Sequence, residues 1–230
     1  MKEKIISIIV VVIVFAGIAY FGLSKSGKIS SLSKVAKPAD NVALVNGAPI
    51  TRADFNSQFA IATTTLAGQG VDVTNPDKIA EIKTQVLDNL INNELVSQAI
   101  AKTGIKTTDA EVEVEYQNVL KEAGSKEQLK VQMDKINLSE TQLRINITKQ
   151  LTVQKYLLQN IDISTATTTS AEIKKLYDES IKGVAKPPKL KDVTEQVRQQ
   201  IINNKQQVLI NTFISALRTK ATISTSTNPL

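Results

Sequence analysis

Three residue types are missing from the 230-residue chain: cysteine, histidine and tryptophan. Without cysteine there is no disulfide framework and no thiol nucleophile. Without histidine there is no imidazole base and no Ser-His-Asp triad, and without both there is no Cys/His zinc site. Carboxylates, lysines, tyrosines and hydroxyls alone remain for catalysis. Aromatics make up 4% of the residues, too few for the stacking platforms that grip single-stranded nucleic acid.

The net charge of +6 is unevenly spread. Six lysines against Glu3 and Asp40 fall within the first 40 residues, leaving 22 basic and 20 acidic residues in 41–230. A body so nearly balanced is not the footprint of a nucleic-acid-binding domain, and no nucleic-acid partner is expected.

Residues 5–23, IISIIVVVIVFAGIAYFGL, carry no charge, over close to the ~20 residues that cross a bilayer as a helix. The apolar region of a secretory signal is usually ~7–15 residues and ends at a small-x-small cleavage site. This run is longer, and SKSGKISS after it offers no such site. The expectation is an uncleaved transmembrane anchor that puts residues 5–23 in a lipid bilayer. Lys2 and Lys4 precede the span, whereas Lys25, Lys28, Lys34 and Lys37 follow it, so a plain lysine count would keep the body in the cytoplasm. Long domains translocate largely regardless of flanking charge, and the orientation expected is N-terminus in, body out. Residues 24–40 read as a Ser/Lys-rich tether. The chain thus divides into an anchor and linker, 1–40, and a folded domain, 41–230.

In that domain Val42–Val45 reads as a strand and Asn46-Gly47 as a tight turn. Thr51 with Asp54 reads as a helix start, with Ile50 stapled onto Phe55. Helical patterns follow over 52–66 and from Asn75-Pro76 to Gly104. In the second, two apolar stripes (Ile79, Ile82, Val86, Leu90 and Leu87, Ile91, Leu95) predict a central helix with several neighbours. Four S/T-x-x-E/Q boxes, Thr108/Glu111, Ser125/Gln128, Ser139/Gln142 and Thr169/Glu172, predict helices near 109–122, 126–136, 140–160 and 170–182. GVAKPPK at 183–189 breaks the pattern. A long helix over about 190–219 carries Leu190, Val193, Val197, Ile201, Val208, Leu209, Phe213 and Leu217, and Ala221-Thr222-Ile223 suits a last strand. No internal repeat is evident.

Local chemistry is sparse. Of Glu111, Glu113 and Glu115 only the first and third share a helix face, which favours a solvated flank over an acid–base pair. The GQG at 68–70 and the single Gly of VNGAPIT lack nucleotide-loop spacing. No catalytic, cofactor-binding or metal site is expected. Phe59, Tyr116, Met133 and Tyr156 are candidate contacts for an apolar partner, weighed against the ordinary use of helical aromatics and Met as core.

VALVNGAPITRADF, the run from QVLDNLINNELVSQAIAKTGIKTTDAEVEVEY to SETQLRINITKQLTVQKYL, SAEIKKLYDES, and the closing KLKDVTEQVRQQIINNKQQVLINTFISALRTKATI together resemble the extracytoplasmic SurA/PrsA/PpiD chaperones over roughly residues 42–225. The resemblance implies a mainly α fold: a SurA N-terminal-like core module over 42–182, a long closing helix and strand over 188–225, and a small two-stranded sheet pairing the domain's two ends. In many relatives a parvulin-type prolyl isomerase domain lies between the YDES helix and the closing helix; here only IKGVAKPPK occupies that interval. The implied function is therefore a membrane-anchored, extracytoplasmic, ATP-independent chaperone for unfolded or nascent secreted and membrane proteins, not an enzyme and without a cofactor. The alternative is a non-catalytic helical scaffold in an envelope or secretion complex.

Overall fold

The computed structural model describes residues 40–135 and 138–226. The anchor expected at 5–23 lies outside the described residues, as does most of the tether. Among the described residues no helix is long and apolar enough to cross a membrane.

The domain opens with a hairpin: β1 (Asn41–Val45), a turn at Asn46-Gly47, and β2 (Ala48–Thr51). Asn46 and Gly47 both have positive φ, 52° and 85°, the turn geometry that Asn-Gly supplies at least strain and whose twist matches two antiparallel strands. The chain end returns as β3 (Ile223–Thr225), antiparallel to β1, giving the order β2-β1-β3. The expected pairing of the two ends is present. The two-stranded sheet is corrected to three strands, because Ala48–Thr51 pairs with β1 before the helix begins, with Pro49 accommodated on an edge strand.

Among the described residues seven α-helices accompany the sheet: α1 (Arg52–Gly68), α2 (Pro76–Ala101), α3 (Asp109–Ala123), α4 (Lys126–Lys135), α5 (Glu140–Asn160), α6 (Ser170–Ser180) and α7 (Leu190–Thr219). Their starts are set locally. Thr51, Asn75, Thr108, Ser139 and Thr169 accept backbone N–H groups of the first turns, and Pro76 stands where its missing N–H costs nothing. Only the two glutamate boxes close in both directions. Glu111 and Glu172 accept back from the cap N–H at 2.8 Å in each case, whereas Gln142 turns instead to Asn146.

Four hydrophobic clusters hold the helices. The sheet, α1 and α2 enclose Val42, Val45, Ile50, Phe55, Ile82 and Ile91, with Leu217 of α7 against them. The second cluster joins Val96 of α2, Tyr156 and Leu157 of α5, and Ile210 and Ile214 of α7. α3, α4 and the first half of α5 form the third around Val112, Tyr116, Leu129 and Ile147. α6 and the first half of α7 form the fourth around Ile173, Val197 and Ile201. α2 is central as its stripes imply, packing on α1, β1, α5 and α7.

Helices α5 and α7 change sides partway along. On α5, Leu143, Ile147 and Leu151 serve the third cluster, while Val153, Tyr156 and Leu157, rotated from the middle of that stripe by roughly 80–180° at ~3.6 residues per turn, serve the second. α7 does the same: Val193, Val197 and Ile201 face α6, then Ile210, Phe213, Ile214 and Leu217 face α2 and α5. Each helix is therefore a strut between two clusters. Among the described residues none of the principal packing interfaces joins α3 or α4 to α6 or α7.

Candidate functional site

A strut that switches sides leaves part of its first stripe uncovered. Leu158 continues the line of Leu143, Ile147 and Leu151 beyond the reach of α3 and is 44% exposed. Val208 continues the line of Leu190, Val197 and Ile201 beyond α6 and is 63% exposed. Val208 lies in a shallow groove of about 350 Å³ with Leu209, Asn204, Lys205, Thr165 and Ala166, where the segment between α5 and α6 crosses α7. A second groove of about 200 Å³ runs between α1 and α2. Ile61, Ala62, Leu66, Val86 and Leu90 supply its apolar wall, and Gln58, Asn89 and Asn93 add amides that can both donate and accept.

The four candidate contact residues are not brought together. Phe59 is half-buried on α1, stacked on Phe55 at 6.1 Å with Lys83 Nζ 6.0 Å from its ring. Tyr116 is buried in the third cluster beneath Arg144, whose guanidinium lies 4.1 Å from the ring centre. Met133 is half-buried against the same cluster from α4. Tyr156 is buried in the second cluster against Phe213 at 5.8 Å, and burial pushes its hydroxyl above the usual tyrosine range. Two buried rings and two half-open side chains, in three clusters, do not converge on one point.

The acidic flank of α3 ties helices together. Lys155 of α5 donates to Glu111 Oε2 at 2.6 Å, and Arg144 donates to Glu113 at 2.7 Å. The Lys155 ammonium, with the Thr108 N–H and hydroxyl, lowers the Glu111 carboxyl to about 2. Gln117 and then Arg144 hold Glu113 below its ordinary value. Glu172 on α6, with Lys205 of α7 at 2.6 Å, is likewise lowered to about 2. These carboxylates are charge partners and caps rather than proton donors poised near neutrality. Among the described residues no group of three or more acidic side chains is placed to hold a metal.

Sequence reasoning did not single out Lys155, Lys205 or Arg144, and it read Leu158 and Val208 only as apolar positions lining their helices, where the structure leaves both exposed. The sequence shows that each of these two is apolar and in register with a buried stripe; that each lies beyond its covering helix is visible only in the fold.

The geometry is thus a set of dispersed apolar grooves on a helical frame, with the carboxylates committed to structure. A family model described as SurA-like N-terminal domain matches residues 1–157. The foldase protein PrsA of Caldanaerobacter subterraneus subsp. tengcongensis is 29% identical over 161 residues, 65% of this chain and 45% of that protein. The chain thus spans less than half of that relative's length. A solved chain from work on two SurA-like chaperones of Campylobacter jejuni, the virulence factor PEB4 and the periplasmic protein Cj1289, superposes with a TM-score of 0.49 at 16% identity, covering 81% of this chain and 99% of that one. With its family model spanning 157 of 230 residues, the chain belongs to the SurA-like N-terminal domain family.

Proposed function

We propose that this chain is an ATP-independent chaperone that covers apolar segments of unfolded or newly translocated proteins on the extracytoplasmic side of a membrane, held there by residues 5–23. The observation that carries the reading is membership of the SurA-like N-terminal domain family. The dispersed grooves agree with it. A holdase needs many weak apolar contacts rather than one catalytic constellation, and amide-rimmed grooves on α1/α2 and α7 offer such contacts without exposing one large apolar patch. Phe59 and Met133, half-open at the edges of their clusters, are the client contacts proposed to act directly. Tyr116 and Tyr156 would reach a client only through opening of their clusters. Prolyl isomerase activity is not part of the proposal.

The test uses the full-length chain in lipid nanodiscs, with empty nanodiscs as control. Light scattering follows a denatured globular client diluted into buffer at equimolar chain. A clear delay in aggregation is expected, together with background rates of prolyl isomerisation on a model peptide. Undelayed aggregation removes the chaperone reading and leaves a non-catalytic scaffold in its place; accelerated isomerisation contradicts the non-enzymatic assignment.

A further inference from the structure

The segments that lead into α3 and α6 end in the same arrangement. Before α3, the Thr108 N–H donates to Glu111 at 2.8 Å, and Lys155 reaches in from α5. Its ammonium donates to Glu111 at 2.6 Å and to the Lys106 carbonyl at 2.9 Å. Before α6, the Thr169 N–H donates to Glu172 at 2.8 Å, and Lys205 of α7 donates to Glu172 at 2.6 Å and to the Thr167 carbonyl at 2.7 Å. In both, the bonded carbonyl stands two residues before the cap. Aligning the caps exposes a short repeat that position-by-position reading passes over: TTDAEVEVEY at 107–116 and TTSAEIKKLY at 168–177. Val112 and Ile173 are its matching buried residues, each in the cluster between its short helix and its strut.

The copies differ in what else holds them. Thr107 bonds α5 directly, its hydroxyl 2.8 Å from that of Thr152. Thr168, its counterpart, turns inward to Glu172 at 3.3 Å. Among the described residues, polar attachment of the second strap to α7 therefore rests on Lys205, while Ile161, Ile163 and Ala166 pack beneath. The groove with exposed Val208 lies beside this strap, and Lys205 and Ala166 line it.

We infer that Lys205 is a catch: by tying the Thr167 carbonyl and Glu172 to α7 it holds strap 161–169 down and sets the width of the groove beside Val208, whereas the doubly tied first copy is a fixed rivet. Opening the catch lets the strap lift as a unit between the end of α5 and the start of α6. A lysine suits this role because its ammonium offers three donors on a flexible stem and can bridge a carboxylate and a carbonyl at once.

The chain has no native cysteine, so labels report only where they are placed. Spin labels at T165C and N204C, both exposed and lining the groove, measure strap-to-helix distance in the full-length chain. Lys205→Met should lengthen and broaden that distance and speed amide exchange over 163–169 by about fivefold. Lys205→Arg should restore most of the narrow distribution, which also shows that the fold tolerates substitution there. Lys155→Met should leave the 165–204 distance unchanged. An unaltered distance in Lys205→Met overturns the inference, and so does an equal change in Lys155→Met.

Discussion

The base of the molecule and its two outlying helix groups are built on different principles. In the base, the sheet, α1 and α2 bury Val45, Val42, Phe55 and Ile91 to 1% exposure or less. Asn46 ties the chain's two ends there. In the outlying groups, α3–α4 on α5 and α6 on α7, the clusters are smaller, and even their most buried members, Ile147 and Ile173, keep 3% and 4% exposure. Half-exposed ion pairs supplement them at Glu111–Lys155, Glu113–Arg144 and Glu172–Lys205, whereas the comparable Asp88–Arg218 pair of the base stands beside its larger core. Close packing resists small displacements because its contacts fall off steeply with distance, whereas exposed ion pairs are individually weak and replaceable by water. The base is therefore a fixed frame, and the outlying groups are attachments that can loosen without unfolding it.

Deleting a large side chain from each region is the strongest way to break that comparison. Phe55→Ala in the base should cost about 3–5 kcal/mol and bring the whole transition to lower temperature. Ile173→Ala, in the smaller cluster of α6 and α7, should cost about 2–3 kcal/mol, toward the low end for such truncations because the site can collapse. Its main effect should be faster amide exchange in α6. Thermal melts by circular dichroism and exchange by mass spectrometry measure the two; equal, global effects would show that the regions do not differ as described.

Asn46 tests the base at one residue. Its N–H donates to the Thr222 carbonyl at 2.7 Å, its side-chain oxygen accepts the Thr222 N–H at 2.9 Å, and its side-chain amide donates to Gln98 of α2 at 2.8 Å. With φ at 52°, Gly is the replacement that keeps the backbone without strain. Asn46→Gly removes only the two side-chain bonds and should cost about 1–2 kcal/mol; Asn46→Ala adds left-handed strain and should cost more. Exchange of the β3 amides should quicken in both variants. If Asn46→Gly leaves melting and β3 exchange unchanged, the pairing of the chain ends is held by other groups.

Much of the fold is legible because helix ends are local. Thr108-x-x-Glu111, Asn75-Pro76 and KPPK at 186–189 each set a boundary within a few residues, by caps and breakers that need no tertiary partner. β2 was hidden because Ala48-Pro49-Ile50-Thr51 contains a poor strand residue and runs directly into a helix cap. The side-switching of α5 and α7 was hidden for another reason. Leu190 to Leu217 reads as one apolar helix, and only the positions of α6 and α2 split it into two faces. The ion-pair partners lay 31 to 44 residues apart, as in Arg144–Glu113 and Lys155–Glu111, beyond any local pattern. The grooves were illegible for the same cause, since a groove is defined by where the covering element stops.

Acid should separate the two regions with the smallest perturbation. Glu111 and Glu172 titrate at about 2 in the folded chain against an ordinary 4.5, through Lys155 and Lys205 first and their capped threonines second. Folding therefore favours their ionised forms. The stability they contribute is complete above about pH 4.5 and is lost as pH falls through about 2. Glu113 and Glu127, also lowered, lie in the same α3–α5 group, the first through Gln117 and Arg144, the second through its own N–H and Ser125. In the base, the apolar contacts of Val45, Phe55 and Ile91 carry no proton, and Asp72, lowered by the Thr74 hydroxyl and N–H, sits on the exposed loop between α1 and α2 rather than in that core. Amide spectra at pH 6, 4 and 3 should show α3 and α6 broadening before β1 and α2, and Glu111→Gln with Glu172→Gln should flatten that dependence. Simultaneous loss in both regions would mean that the outlying groups and the base form a single cooperative unit, and that the ion pairs fasten the whole domain rather than its outer helices.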